Sequence, residues 1–241
     1  METSVIVRTK NEEKWIGAVL EVLGKQTYQN FETVIIDSGS TDRTLEIIKN
    51  FPVKLVQITQ EEFSYPYALN VGCRASSAQK YFVIISAHAI PLNELFLEIG
   101  VKSFSDDNVA GAYGPIRTLA DGSIWEKIYF NILCPFFELF TPERMIMKKS
   151  RMGVLGNTNS IIRRDLWEQY NFNEEYGLGG EDAEWASHCI KSGYVIIKNK
   201  KFIVQHSHSL SFMAFMKQWK YWASLTSPQK FQKIPFRNWK W

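Results

Sequence analysis

A pair of carboxylates follows two glycines in the second half of the chain. Gly179 and Gly180 precede Glu181 and Asp182, and the next residues have the spacing of a helix that ends near Ser192. The partial positive charge at a helix N-terminus favours the ionised form of a carboxyl group. A carboxylate in this position could deprotonate a substrate hydroxyl, so the pair is a candidate for general-base chemistry. Simple capping of the helix is the alternative interpretation.

A second polar block stands where a hydrophobic strand gives way to a helix. The strand predicted up to Asp37 is followed by Ser38-Gly39-Ser40-Thr41-Asp42. Nucleotides bind at such strand ends in open α/β sheets. Gly39 permits a tight turn, whereas Ser40 and Asp42 are expected to cap the helix rather than contact a ligand.

The hydrophobic pattern alternates between strands and helices. In the first half, strands are predicted at 4–9, 32–37, 53–58, 81–85 and 109–113, with helices at 11–24, from 41 or 42 onward, at 67–77 and at 91–104. In the second half, strands are predicted at 159–163, 194–197 and 201–204, and helices at 164–170, 181–192 and 211–224. This alternation indicates an α/β fold of Rossmann-like type, with a mixed, mainly parallel sheet flanked by helices.

The composition is that of a globular protein. Of the 241 residues, 45% are hydrophobic and 22% are charged, which suffices for one domain with its own core. The longest apolar stretch, 128–140, contains three polar or proline positions and is too short to span a bilayer. The N-terminus lacks the basic start of a signal peptide. We therefore expect a cytoplasmic protein, with peripheral attachment to the inner membrane face as a further possibility.

Charge is distributed unevenly along the chain. No Asp or Glu follows Glu184, whereas ten of the 28 Lys and Arg residues do. We predict one domain over 1–210 and an amphipathic, aromatic and basic helical tail over 211–241. Its apolar positions are Phe212, Phe215, Trp219, Trp222, Phe231, Ile234, Phe236, Trp239 and Trp241. Such a tail suits contact with an anionic membrane surface. Packing of the tail on the domain is the alternative. Nucleic-acid binding is not expected, because no known motif supports it.

Several of these segments resemble family 2 glycosyltransferases with the GT-A fold. The resemblance rests on residues 4–13, 26–32, 34–42 and 68–72, and in the second half on 156–164 and on Gly180-Glu181-Asp182. It extends from about residue 3 to about residue 210. It implies a nucleotide-binding half over 1–114 and an acceptor half over 115–210.

The resemblance also implies which residues act on the donor and the acceptor. The family places its general base in the Glu-Asp pair, so Asp182 is expected to take the proton of the acceptor hydroxyl, with Glu181 orienting it or binding the acceptor. In the family, the carboxylate that matches Asp37 accepts a hydrogen bond from the nucleotide base. The expected nucleotide-binding residues are Thr9, Glu12, Asp37, Ser38, Gly39, Asn70 and Ser86. Gly156, Asn157 and Trp185 are expected near the donor sugar or the acceptor, and core packing is the alternative for Trp185.

One motif departs from the family pattern. Family members carry Asp-x-Asp where this chain has Ser86-Ala87-His88, and those acids hold a divalent metal that neutralises the departing diphosphate. Without both carboxylates a Mg²⁺ site is weakened, although a histidine can still bind Mn²⁺. His88 is therefore expected either to hold a metal or, when protonated, to contact the diphosphate directly. Because His206 and His208 alternate on an extended segment, only one of them is expected to join His88. His206 is the favoured one, with a purely structural role as the alternative.

Together these features predict an inverting, non-processive glycosyltransferase. It would move one sugar from a nucleotide-diphosphate donor, expected to be UDP-linked, to a glycan or lipid-linked acceptor. The Gln-x-x-Arg-Trp signature of processive relatives is altered, since Tyr221 stands where Arg belongs. Two alternatives stay open: a sugar-phosphate nucleotidyltransferase, whose glycine- and lysine-rich signature is missing, and a non-catalytic sugar-nucleotide or membrane-binding module with a decayed metal site.

Overall fold

A computed structural model gives the fold of residues 1–151, 153–177 and 179–224. Its strands are β1 (Thr3–Thr9), β2 (Phe31–Asp37), β3 (Lys54–Gln57), β4 (Tyr81–Ser86), β5 (Ile90–Pro91), β6 (Val109–Tyr113), β7 (Ile116–Arg117), β8 (Arg144–Met147), β9 (Asn159–Arg163), β10 (Val195–Asn199) and β11 (Val204–Gln205). Its helices are α1 (Ile16–Gly24), α2 (Thr44–Ile48), α3 (Tyr65–Ala75), α4 (Phe96–Val101), α5 (Ile124–Lys127), α6 (Cys134–Glu138), α7 (Arg164–Gln169), α8 (Glu181–Lys191) and α9 (Phe212–Ser224). A π-helical segment, Ile128–Leu133, joins α5 to α6.

The central sheet is mainly parallel, as predicted. Within the described residues its strand order is β3-β2-β1-β4-β9-β6-β10-β8. The pairs β1–β2, β1–β4, β2–β3 and β6–β10 are parallel, whereas β9 runs antiparallel to β4 and β6, and β8 runs antiparallel to β10. Helices cover both faces, because one apolar cluster includes residues of α3 and α8 and the other includes residues of α1 and α4. Strands buried on both faces have continuous apolar runs, and Val5, Ile6 and Val7 of β1 are fully buried.

The strand register brings polar residues to one edge of the sheet. Thr9 pairs with Asp37, and Arg8 pairs with Ser86, so β1, β2 and β4 end together. Asn159 begins the antiparallel strand β9 and pairs with Ile85, which puts the loop before β9 at the same edge. Polar loops from strands of both directions therefore meet at the carboxyl ends of the parallel strands.

A small second sheet was not predicted. In it, β11 pairs antiparallel with β5 and parallel with β7. The expectation that Pro91 opens a helix is wrong, because Pro91 lies in the edge strand β5, where a missing N–H is tolerated, and α4 begins only at Phe96. Since β5 follows β4 closely and β11 ends at Gln205, this sheet brings His206 to the end of β4.

The loops after β1 and β2 are tied to each other. The helix predicted at 11–24 begins only at Ile16, as α1. The side-chain oxygen of Asn11 instead accepts a hydrogen bond from the N–H of Thr41 at 2.8 Å. The carboxylate of Asp42 accepts hydrogen bonds from the N–H groups of Thr44 (3.0 Å) and Glu13 (3.1 Å). These cross-loop bonds fix the backbone at the polar edge.

The predicted C-terminal helix is present as α9, and it packs on the rest of the domain. The Phe212 ring lies 4.6 Å from the Trp125 ring, and the Phe215 ring lies 5.7 Å from the Tyr129 ring. The tail positions Phe231, Ile234, Phe236, Trp239 and Trp241 lie outside the described residues, so the membrane contact expected of them stays a prediction. In the part of the chain that the structure describes, no helix has the length and apolar character needed to cross a bilayer.

Gly114, between β6 and β7, has no room for a side chain. A Cβ atom there would lie 1.5 Å from the backbone carbonyl oxygen of Phe202, which cannot move aside. We expect Gly114→Ala to lower the free energy of unfolding by more than about 3 kcal/mol, or to prevent folding, as measured by urea denaturation. At Gly24 an added Cβ meets nothing within 4 Å, so Gly24→Ala is the matched control and should change stability by less than about 1 kcal/mol. Equal effects of the two substitutions would contradict this packing.

Candidate functional site

A cavity of about 730 Å³ opens at the polar edge of the central sheet. Its walls include the ends of β1 and β6, the loop before β9, the start of α8, the segment after β11 and the helical stretch that contains the π-helical segment. Small-molecule sites in proteins typically enclose about 300–1,000 Å³. The cavity therefore has the size and position of a ligand site.

The two carboxylates predicted to do chemistry form part of the cavity wall. Glu181 begins α8 directly after Gly180, whose φ of 101° is accessible to glycine with little strain. The backbone N–H of Asn157 donates to Asp182 Oδ2 at 3.1 Å, and its side-chain Nδ2 donates to Glu181 Oε1 at 3.0 Å. One loop residue therefore holds both carboxylates.

Burial raises the pKa of both carboxyl groups. For Asp182, burial and then the charge of Glu181 raise the pKa to about 7, against the opposing backbone N–H groups of Ala183 and Asn157. Burial also raises the pKa of Glu181, against the opposing charge of Arg8 and the hydrogen bond from Asn157. Burial thus outweighs the stabilisation of the ionised form expected at a helix N-terminus. A carboxylate with a pKa near 7 can accept a proton close to neutral pH.

Arg8 was not among the predicted site residues, yet it lines the cavity beside the carboxylates. Its guanidinium lies 4.6 Å from the centre of the Tyr65 ring. Nε and Nη1 of Arg8 and Oε2 of Glu181 are buried without a hydrogen-bond partner. Buried polar atoms of this kind call for a ligand or an ordered water. A cationic residue within an otherwise apolar buried strand is the sequence signal that could have identified Arg8.

Three histidines converge next to the cavity. The rings of His88 and His206 stack with 4.5 Å between their centres. The ring of His208 lies 4.6 Å from that of His206 and 5.2 Å from that of His88. The expectation that only His206 joins His88 is wrong, because β11 ends at Gln205 and the alternation of side chains along a strand no longer applies beyond it.

Two glutamates hold the histidines from either side. The carboxylate of Glu126 accepts hydrogen bonds from the backbone N–H groups of His208 (2.9 Å) and Leu210 (3.2 Å). Burial opposes ionisation of Glu126, but these bonds and one from Ser123 outweigh it and lower its pKa. Glu12 Oε1 lies 2.6 Å from His88 Nδ1. Glu12, expected to bind nucleotide, therefore orients the His88 ring, as carboxylates do for metal-binding histidines.

The histidine cluster fits a divalent metal. One potential ligand atom from each of His88, His206 and His208 lies within 4.8 Å of the others. Nε2 of His88 is buried without a partner. Burial, followed by the neighbouring imidazoles, lowers the pKa of His206 well below its usual value, and burial and His88 lower that of His208. Neutral imidazole is the form that binds metals, and it suits Mn²⁺ or another borderline ion better than Mg²⁺.

The turn after β2 is held by its own carboxylate. Asp37 is fully buried, and it accepts hydrogen bonds from the N–H groups of Gly39 and Ser40 at 3.1 Å each and from the Ser40 hydroxyl. The N–H of Ser38 donates to the carbonyl of Thr9 at 3.1 Å. These bonds give the turn its shape at the sheet edge. Contact of Asp37 with a nucleotide base stays a prediction.

Two predicted site residues instead serve the protein interior. The amide of Asn70 donates to the Phe172 carbonyl (2.8 Å) and to a nearby carboxylate (2.9 Å), and its oxygen accepts from the Trp167 indole and the Phe172 N–H (3.2 Å each). Its hydrogen-bonding capacity is thus filled within the protein. Trp185 is fully buried, and its Nε1 donates to the Tyr170 carbonyl at 2.7 Å. Asn70 therefore packs elements together, contrary to the expected nucleotide contact, and Trp185 has the core-packing role that was its alternative interpretation.

The structure gathers only part of the predicted set around the cavity. The predicted residues that line the cavity are Gly156, Asn157, Glu181, Asp182 and His206, and His208 joins them. The predicted residues at the same sheet edge but outside the cavity lining are Thr9, Glu12, Asp37, Ser38, Gly39 and Ser86. The predicted base and one predicted histidine therefore share one cavity, and the predicted nucleotide residues border it.

Comparison with known proteins places the chain among sugar transferases. Residues 4–170 match the profile described as Glycosyl transferase family 2. One similar protein, from Methanococcus voltae, is 26% identical over 230 residues, which cover 89% of this chain and 70% of that protein. Its name is dolichyl N-acetyl-alpha-D-glucosaminyl phosphate 3-beta-D-2,3-diacetamido-2,3-dideoxy-beta-D-glucuronosyltransferase. The O-antigen chain rhamnosyltransferase WbaN of Salmonella anatum is 28% identical over 195 residues, which cover 77% of this chain and 59% of that protein.

The fold is similar to that of a solved glycosyltransferase. The mannosyltransferase PcManGT from Pyrobaculum calidifontis, in complex with GDP-Man and Mn²⁺, superposes with a TM-score of 0.67 at 20% identity, covering 92% of this chain and 61% of that one. This likeness confirms the predicted GT-A fold. The chain spans between 59% and 70% of the length of these three relatives.

The coupling between the two carboxyl groups can be measured directly. Because the charge of Glu181 helps to raise the pKa of Asp182, Glu181→Gln should move the titration midpoint of Asp182 from about 7 to a lower pH. Carbon-13 NMR of labelled aspartate carboxyl groups gives this midpoint. The control is Glu184→Gln, because Glu184 lies on the same helix but outside the cavity lining. This substitution should leave the titration midpoint of Asp182 unchanged. An unaltered midpoint in Glu181→Gln would contradict the coupling.

Proposed function

The chain belongs to glycosyl transferase family 2, and we propose that it moves a sugar from a nucleotide-diphosphate donor to an acceptor hydroxyl with inversion at the anomeric carbon. One observation carries the proposal: Asp182, with a pKa raised to about 7, lines the same cavity as His206 and His208 of the histidine cluster. A base and a site for the leaving group are the two functions that such a transfer requires.

Asp182 is proposed as the general base. Its carboxylate takes the proton of the acceptor hydroxyl as that oxygen attacks the anomeric carbon. The bond from the anomeric carbon to the diphosphate oxygen breaks on the opposite face, which inverts the configuration. The N–H of Asn157 holds Asp182 Oδ2 at 3.1 Å and limits its movement. Glu181, anchored by the same residue at 3.0 Å, keeps the pKa of Asp182 high through its charge.

The histidine cluster is proposed as the site of the departing diphosphate. His88, His206 and His208 would hold a divalent ion, and Mn²⁺ fits their nitrogen donors better than Mg²⁺. When bound, such an ion neutralises charge on the leaving nucleotide diphosphate. Glu12 orients the His88 ring, and Glu126 anchors the backbone of the segment that carries His208.

A lipid-linked or growing glycan is the proposed acceptor. The relative from Methanococcus voltae is named for a dolichyl phosphate-linked sugar, and that from Salmonella anatum for an O-antigen chain. The helical stretch that lines the cavity contributes three aromatic residues, Tyr129, Phe130 and Phe137. Aromatic rings pack well on sugar faces and on apolar lipid chains. A UDP-linked sugar stays the proposed donor, bound beside the turn that Asp37 shapes.

Replacing the base tests the proposal. We expect Asp182→Asn to reduce sugar transfer by roughly 10²- to 10⁴-fold, because the amide keeps the shape of the side chain but cannot take the proton. Nucleotide diphosphate released in the presence of lipid-linked acceptors measures transfer, and calorimetry measures nucleotide affinity, which should be unchanged.

Glu184→Gln is the matched control. Glu184 lies on the same helix as Asp182 but accepts a hydrogen bond from the Tyr170 hydroxyl at 2.7 Å and does not line the cavity. This variant should retain full activity. If Asp182→Asn lost transfer and nucleotide affinity to the same extent, the residue would be structural and the proposed base would be rejected.

A further inference from the structure

An exposed apolar surface covers the outside of one cavity wall. It is formed by residues 124–140 and the start of α9, and we call it the outer apolar surface. Its exposed large side chains outside the cavity lining include Ile124 (60%), Ile132 (61%), Leu139 (77%), Phe140 (74%) and Met213 (74%). Contiguous apolar groups of this exposure on a folded protein mark a surface that contacts another partner.

The outer apolar surface is held in shape by contacts within the domain. The carboxylate of Glu138 pairs with Arg117 at 2.5 Å, and the Phe136 and Phe140 rings lie 5.4 Å apart. The π-helical segment lies within this stretch, and such segments occur frequently at functional sites. Because Tyr129 of the same stretch lines the cavity, the stretch has one face toward the site and one toward the outside.

Positive charge continues from this apolar surface along α9, where Lys217 and Lys220 are exposed. Lys148, Lys149 and Arg151 are also exposed, just after β8, whose Ile146 is itself 60% exposed. Interleaved apolar and basic side chains are what the interface of an anionic bilayer attracts.

Negative charge near this surface is engaged elsewhere. Residues 124–151 contain three acidic residues. Glu126 accepts backbone hydrogen bonds, Glu138 pairs with Arg117, and Glu143 pairs with Lys201 at 2.8 Å. Glu126 and Glu138 are therefore withdrawn from solvent, and the charge of the exposed Glu143 is paired with that of Lys201.

We propose that the outer apolar surface docks on an anionic lipid bilayer. The exposed aromatic and aliphatic side chains enter the lipid layer, and the lysines of α9 contact lipid phosphates. A symmetric contact between two copies of this chain would bring its lysines together, and their repulsion disfavours it. The inference concerns the described domain, in contrast to the tail contact expected from the sequence, and it does not depend on the transfer reaction.

Vesicle co-sedimentation of the full chain tests the proposal. The protein should bind vesicles that contain phosphatidylglycerol more strongly than vesicles of phosphatidylcholine alone. Leu139→Asp/Phe140→Asp should weaken the binding at least about tenfold, because it puts two charges into the lipid layer. Lys217→Glu/Lys220→Glu should remove the preference for phosphatidylglycerol.

Matched variants distinguish the outer apolar surface from the other exposed apolar side chains of the protein. Leu92→Asp/Leu95→Asp changes two leucines of 46% and 48% exposure on the β5–α4 loop, and it should bind vesicles like the unaltered protein. Unchanged binding by Leu139→Asp/Phe140→Asp, or loss only in the tail variant Phe231→Asp/Phe236→Asp, would overturn the proposal. The proposal would also be overturned if the unaltered protein did not bind vesicles but formed a dimer in light scattering, and if Leu139→Asp/Phe140→Asp dissociated that dimer.

Two measurements keep this test independent of protein folding and of the proposed transfer. Thermal unfolding by circular dichroism should show that each variant keeps the stability of the unaltered chain. Nucleotide affinity by calorimetry should also be unchanged in Leu139→Asp/Phe140→Asp. Failure of the vesicle experiment with intact nucleotide binding would reject the docking surface alone.

Discussion

The common ending of β1, β2 and β4 is the constraint on which the site depends. Because Arg8 pairs with Ser86 and Thr9 pairs with Asp37, the loops that follow the three strands leave the sheet together. The antiparallel strand β9 begins at the same edge, so Asn157 reaches the start of α8 and holds Asp182 there. A register slip of one residue would move these side chains to the opposite face of the sheet and disperse the site.

Burial then sets the protonation of one acidic and one basic group near this edge, the Asp182 carboxyl and the His206 imidazole. It raises the pKa of Asp182 and lowers that of His206, so both groups are shifted toward their neutral forms. A raised carboxyl pKa suits a base that works near neutral pH, and a neutral imidazole suits a metal ligand. The same desolvation thus prepares the group that would accept a proton and the group that would hold an ion.

Local pattern predicted much of the fold and part of the site. The strands β6 and β9 have the predicted bounds, because short apolar runs between turns define them. Glu181 and Asp182 were identified by their place at a helix start, whereas the roles of Glu12 and Asn70 depend on partners 76 and 102 positions away. Contacts of that range leave no periodic signal in a single sequence.

Calorimetry on the full chain with UDP, GDP and dTDP, each with Mn²⁺ and with EDTA, tests whether three histidines, rather than paired aspartates, hold the ion that meets the nucleotide diphosphate. If they do, one nucleotide binds selectively and only with Mn²⁺. This binding is lost in His88→Ala and retained in Asp182→Asn. Selective binding unaffected by EDTA would contradict the metal centre and assign His88 a direct contact with the diphosphate. Absence of binding by all three nucleotides would contradict the proposed reaction itself.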